Sequence, residues 1–135
     1  MPFFPRTANS GPARTGRTGP GPGPWLGREP IEDVIREAAA PGSWLPDTRR
    51  VRAVTARLQV FVQERAYDVE VAARARALGD PVRGPALAAV REARYRLGLG
   101  PGDGYASAIT FARSLGRAAE DLLHHERRLR REEEA

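Results

Sequence analysis

The apolar pattern is most regular in residues 47–78. Apolar residues recur there at steps of three or four, which is the spacing of one face of a helix. Asp47 suits an N-cap and Gly79 suits a left-handed end, so we predict a helix over residues 48–78, about 45 Å long. The other helices are expected to organise around this stripe. Its members are Val51, Val54, Leu58, Val62, Ala66, Val69, Ala73 and Ala77.

A shorter helical pattern precedes it at residues 30–40. Pro30 fits a first helical turn, and Glu32 and Asp33 stand where the helix dipole favours negative charge. Pro41-Gly42 ends the pattern. The predicted inward face is Ile31, Val34, Ile35 and Ala38, and Trp44 and Leu45 in the following loop are expected to close one end of the core.

Two helices are predicted after the long one, over residues 85–97 and 104–131. The glycine-rich link GLGPGDG joins them, and we interpret it as a helix stop at Gly98 and an N-cap at Asp103. A dinucleotide-binding loop needs a strand before the glycines, and here a helix precedes them. The last helix is predicted to face inward with Ile109, Ala112, Leu115, Ala119, Leu122 and Leu129.

These patterns predict an all-α protein: a small antiparallel bundle of three main helices plus a short N-terminal helix, over residues 28–135. Residues 1–27 are rich in Gly, Pro and Arg and are predicted to be a disordered tail. The two short helices, each under about 20 Å, must lie along different halves of the long pair to cover it. Otherwise part of the long stripe is exposed, and a homodimer is expected to cover it.

Charge and composition narrow the functional classes. All 22 basic residues are Arg, and from Arg28 onward 19 Arg face 17 acids without clustering, which argues against nucleic-acid binding. Cysteine is absent, which excludes disulfides and thiolate metal sites. No apolar run is long enough to span a bilayer and MPFFPR lacks a signal-peptide core, so we expect no membrane association and a cytoplasmic protein.

Two polar clusters are the candidates for chemistry. In the first cluster, Glu120 with His124 and Asp121 with His124 or His125 lie three or four residues apart, but a di-iron bundle needs such a segment on two helices and no other His exists. These four are therefore weak metal ligands, and we expect no metal and no cofactor. The second cluster pairs Asp68 and Glu70 with Arg91, Arg94 or Arg96, a network that more often sets helix packing than catalysis.

Three segments carry a resemblance to a known family. DVEVAARA, ALAAVREARYRL and LLHHERRL resemble an uncharacterised family of small helical actinomycete proteins, similar to those of Streptomyces and labelled natural product biosynthesis proteins. The resemblance covers about residues 50–130 and implies a helical fold and a setting in secondary metabolism. The matching positions imply a functional or structural polar cluster of Asp68, Glu70, Glu92, Arg94 and His125.

Three functional classes follow. The leading one is a non-enzymatic accessory or interaction protein with a protein partner or a homodimer, because no nucleophile, base and oxyanion donor assemble in the sequence. The alternative is a small helical ligand- or metal-binding enzyme using His125 with Asp68 or Asp121. The third is a DNA-binding regulator, although the links at residues 79–85 and 98–104 are long for a helix-turn-helix.

Overall fold

The computed structural model describes residues 29–134, with side chains as far as Arg131, and contains four helices. Helix α1 is Ile31–Ala39, α2 is Thr48–Arg74, α3 is Arg83–Leu99 and α4 is Tyr105–Glu134. There is no strand in this part of the chain, so the prediction of an all-α bundle is confirmed. The predicted disordered tail, residues 1–27, lies outside the described residues.

The two long helices run in the same direction. At one end the Tyr105 hydroxyl donates to the Pro46 carbonyl, and further along Arg65 of α2 pairs with Glu126 of α4. Helix α3 returns between them and packs against both, and α1 lies mainly against α4. The close approach of α1 depends on Gly116, because a Cβ there would stand 2.9 Å from the Cβ of Ala38.

The core is the stripe predicted on α2, closed by the other helices. Seven of its eight members are buried, from Val51 to Ala73. Ala77 is exposed, because α2 ends at Arg74 and not at Leu78 as predicted. The Asp80 carboxylate accepts from the Val82 backbone N–H at 2.9 Å and folds the chain back through turns, which brings Val82 into the core.

The link between α3 and α4 also differs from the prediction. Gly98 lies inside α3, which runs to Leu99, and Gly100 takes the left-handed φ of 72° after it. The carbonyl of Gly104, not of Asp103, accepts the first hydrogen bond of α4, from Ala108 at 3.1 Å. The glycines therefore make the turn, as interpreted, but at positions shifted by one or two residues.

The loop between α1 and α2 is held by polar contacts. The Trp44 indole N–H donates to the Glu37 carboxylate at 3.0 Å, and Arg50 of α2 pairs with the same carboxylate. Arg113 of α4 donates to two loop carbonyls, those of Ala40 and Gly42. Trp44 is half-buried, whereas Leu45 is 78% exposed, so the prediction that Leu45 closes the core is wrong.

The expectation of a homodimer rested on an uncovered stripe. Helix α3 has 17 residues, which is about 25 Å and longer than predicted. With α1 and α4 it covers the α2 stripe from Val51 to Ala73 within one chain. The sequence argument for a homodimer thus has no support in the described residues.

Candidate functional site

The structure joins two of the five residues in the predicted polar cluster. An Arg94 guanidinium N–H of α3 donates to Glu70 Oε1 of α2 at 2.8 Å, and Arg74 donates to Glu70 Oε2 at 3.2 Å. The hydrogen bond from Arg94, followed by the bond from Arg74, lowers the pKa of the Glu70 carboxyl against the opposing effect of desolvation. This pair ties α2 to α3, which is the structural role the sequence favoured.

Asp68 and Glu92 lie apart from that pair. Residues two positions apart on a helix point in different directions, which separates Asp68 from Glu70 and Glu92 from Arg94. Glu92 pairs with Arg96 at 2.9 Å, and Arg96 also donates to the Ser114 carbonyl of α4. Asp68 is exposed and pairs with no cation in residues 29–131.

His125 is half-buried on α4, and its Nδ1 has no hydrogen-bond partner among the described residues. Burial lowers the pKa of this imidazole, and the neighbouring charges of His124 and Arg128 lower it further, while Asp121 raises it. These three groups all belong to α4. No hydrogen bond or ion pair joins His125 to Asp68 within the described residues, and the proposed His125–Asp68 pair stays a prediction.

The four weak metal candidates do not converge. Glu120 lines a cleft against α1 with Ile35, whereas the rings of His124 and His125 lie edge to face with centroids 5.1 Å apart. No three His, Cys, Asp or Glu side chains within residues 29–131 lie close enough together to hold a metal ion.

Sequence reasoning missed the ion pair between α2 and α4. One Arg65 nitrogen, Nη1, donates to both oxygens of Glu126, at 2.7 and 2.9 Å, and its guanidinium lies 4.9 Å from the Phe61 ring centroid. The partners are 61 residues apart, and charges that meet only in the fold leave no local signal. Their contact fixes the register of the two long helices.

A cavity of about 340 Å³ opens where α2 and α4 begin. Val51, Pro101 and Tyr105 form part of its wall, and Arg52 is the charged side chain that lines it. That volume is at the lower end for small-molecule sites. The cavity offers one cation and an apolar wall, without a carboxylate or imidazole for proton transfer among its lining residues.

A second apolar stripe runs along the outer face of α2. Val60, Tyr67 and Val71 are 57%, 62% and 52% exposed, and steps of seven and four residues place them on one side of the helix. Helix α3 exposes Tyr95 and Leu99 as well. The spacing was present in the sequence, but the stronger inner stripe concealed it, because most surface helices have one apolar face.

The sequence of the chain matches the model of one protein family. A family model described as a family of unknown function, DUF6415, matches residues 29–131, which include α1 to α3 and almost all of α4. No curated protein and no solved structure matches the chain. Among the described helices, none is both long and apolar enough to cross a bilayer. The match spans most of the sequence, and the chain belongs to DUF6415.

Proposed function

We propose that this protein is a non-enzymatic accessory protein that binds a protein partner through the outer face of α2. The observation that carries the proposal is the exposed stripe of Val60, Tyr67 and Val71. These three side chains are more than half exposed and do not belong to the core, which is formed by the opposite face of α2.

Exposed apolar groups are ordinary when scattered, so their arrangement is what matters. Here three large side chains align over about 17 Å of one helix at 1.5 Å per residue. Tyrosine is also enriched at the centres of protein interfaces, since it buries a large ring and keeps a polar hydroxyl. An aligned stripe with a central Tyr67 therefore supports binding more strongly than isolated exposed residues do.

The Glu70–Arg94 ion pair lies beside the outer stripe and joins its helix to α3. It fixes α3 beside α2, and Tyr95 follows Arg94 directly in the chain. This pair, which is the part of the predicted polar cluster that the structure joins, then has a supporting role, since it helps to hold the scaffold on which the outer stripe is displayed. We assign it no part in chemistry.

The biological setting is part of the proposal and rests on the sequence resemblance. The run from Asp68 to Ala73 resembles actinomycete proteins labelled for natural product biosynthesis, and it lies on α2 beside the outer stripe. We accordingly propose an accessory role in secondary metabolism. The cytoplasmic location predicted from the sequence belongs to the same proposal.

Site-specific photo-crosslinking in the cell that produces the protein tests the binding surface. A photoreactive amino acid replaces Val71 on the outer stripe or, as the control, the exposed Arg117 on α4. We expect a discrete heavier adduct from position 71 and none from position 117. Equal adducts from both positions, or none from position 71, would overturn the proposal.

A further inference from the structure

The outer stripe has the spacing of a helix-docking seam. Val60, Glu64, Tyr67 and Val71 follow one another at steps of four, three and four residues, the alternation that separates the a and d positions of a coiled coil. We call these four residues the outer seam. Knobs at that spacing fit the holes of a second helix laid along α2, which a loop or an extended strand does not match.

The charge on the outer seam is one-sided. Glu64 lies within it and Asp68 follows one turn later; both are exposed, and neither pairs with a cation in the part of the chain that the structure describes. Glu70, on the flank towards α3, is neutralised by Arg94 and Arg74. The surface therefore presents two acids without a paired cation, Glu64 within the seam and Asp68 on the flank opposite Glu70.

A second copy of the chain fits the seam poorly. In a parallel pair each Glu64 would face its own counterpart. In an antiparallel pair centred on the seam, Val60 would face Val71, but Glu64 would face Tyr67 and Asp68 would face Gln63, so neither acid would meet a cation. The parallel pair opposes like charges and the antiparallel pair leaves both acids without a cation, so neither arrangement matches the charge of the seam.

We propose that the partner of this surface is a different protein that presents an amphipathic helix to the outer seam, with Arg or Lys side chains facing Glu64 and Asp68. Leucine-like residues of that helix pack against Val60, Tyr67 and Val71. This inference rests on the proposed function and adds the secondary structure and the charge of the partner. It assigns specificity to two exposed acidic residues that form no ion pair within the described chain.

Two designed peptides test the inference directly. Both have about 20 residues, long enough to hold a stapled helix, and share the same leucines at a and d. One carries Arg at the flanking e and g positions and the other carries Glu. Fluorescence anisotropy with the full-length protein at low salt is expected to show the Arg peptide binding at least about tenfold more tightly.

Charge reversal on the protein makes the test specific. The double variant Glu64→Arg/Asp68→Arg is expected to reverse the preference to the Glu peptide. The control Glu120→Arg/Asp121→Arg makes the same change in net charge at two exposed acids of α4 and is expected to keep the preference for the Arg peptide. The double variant Tyr67→Ser/Val71→Ser is expected to weaken the binding of both peptides. That loss would assign the binding site to the outer seam.

The outcomes separate this inference from the proposed function. Equal binding of the two peptides, binding of neither, or the same response from the two charge-reversal variants would overturn the inference. If the crosslinked adduct from position 71 is nevertheless found, the proposed function stands and the partner is not a basic helix. Loss of both the adduct and the peptide binding would overturn both. Circular dichroism and unfolding midpoints are the control that each variant is folded.

Discussion

The two faces of α2 have similar residue types and opposite surroundings. The inner face buries the seven stripe residues from Val51 to Ala73 against three helices, whereas the outer face leaves Val60, Tyr67 and Val71 more than half exposed. Burial of an apolar side chain contributes about 1.5–3 kcal/mol to folding, and an exposed one contributes almost none of it. The inner face accounts for the fold, so the outer face needs another explanation.

The largest difference between the faces is expected for truncation. Leu58→Ala removes a fully buried side chain and leaves a cavity, so the free energy of unfolding is expected to fall by about 2–5 kcal/mol. Val60→Ala, two residues away on the outer face, is expected to change it by no more than about 0.5 kcal/mol. Urea denaturation of both variants measures the contrast. Similar losses in the two variants would remove the distinction between the faces.

A glycine pair makes the same comparison on other helices. Gly116→Ala is expected to destabilise the protein by about 1–3 kcal/mol, because the new Cβ would meet Ala38 Cβ at 2.9 Å and the Ala39 nitrogen at 3.0 Å.

The control for Gly116 is Gly98, which also lies inside a helix. An added Cβ there meets nothing within 4 Å, so Gly98→Ala is expected to leave stability unchanged or to raise it by up to about 1 kcal/mol. The thermal unfolding midpoints of the two variants measure this difference. A stable Gly116→Ala protein would show that α1 is not packed as closely against α4 as described.

The ion pair between the two long helices is expected to have a smaller effect. Glu126→Gln leaves Arg65 beside a neutral amide and is expected to cost about 1 kcal/mol, since both side chains are only partly exposed. Glu64→Gln on the outer face, where no cation is paired in the described chain, is its control and should be neutral. Double-mutant cycles with Arg65→Gln measure the coupling, and a coupling of zero would contradict the assigned contact.

The smallest expected effect is the dependence of stability on pH. Burial lowers the pKa of His125 below its ordinary 6.5, so the neutral ring is favoured in the folded state. As the pH falls below 6.5 the unfolded chain takes up the proton first, and stability is lost down to the folded pKa. The urea midpoint is expected to fall between pH 7.5 and 5.5, and His125→Gln is expected to reduce that fall.

His124 is the matched control for this titration, because it neighbours His125 and is exposed. His124→Gln is expected to keep most of the dependence on pH. A midpoint that responds equally to the two substitutions would show that burial of His125 is not its cause.

The sequence predicted the parts of the fold that depend on local periodicity. The four helices of residues 29–134 and seven of the eight residues of the inner stripe needed only spacing and caps, and these predictions are confirmed. The predicted end of α2, Leu78, lies beyond the observed end, Arg74. The Asp80 carboxylate accepts from the Val82 backbone N–H and pairs with Arg76, and helix propensity does not encode these contacts. The candidate cluster separated into Glu70–Arg94 and isolated residues because helix register, and not spacing, decides which side chains meet.

The most direct test of the central claim is the adduct yield of a photo-crosslinker placed at Val60 in the producing cell. The yield is compared between the otherwise unchanged protein and the Tyr67→Ser/Val71→Ser variant. If the outer face of α2 binds a partner and does not stabilise the fold, the adduct is lost in the variant while its urea midpoint is unchanged. An adduct that persists at full yield in the folded variant would contradict the assignment.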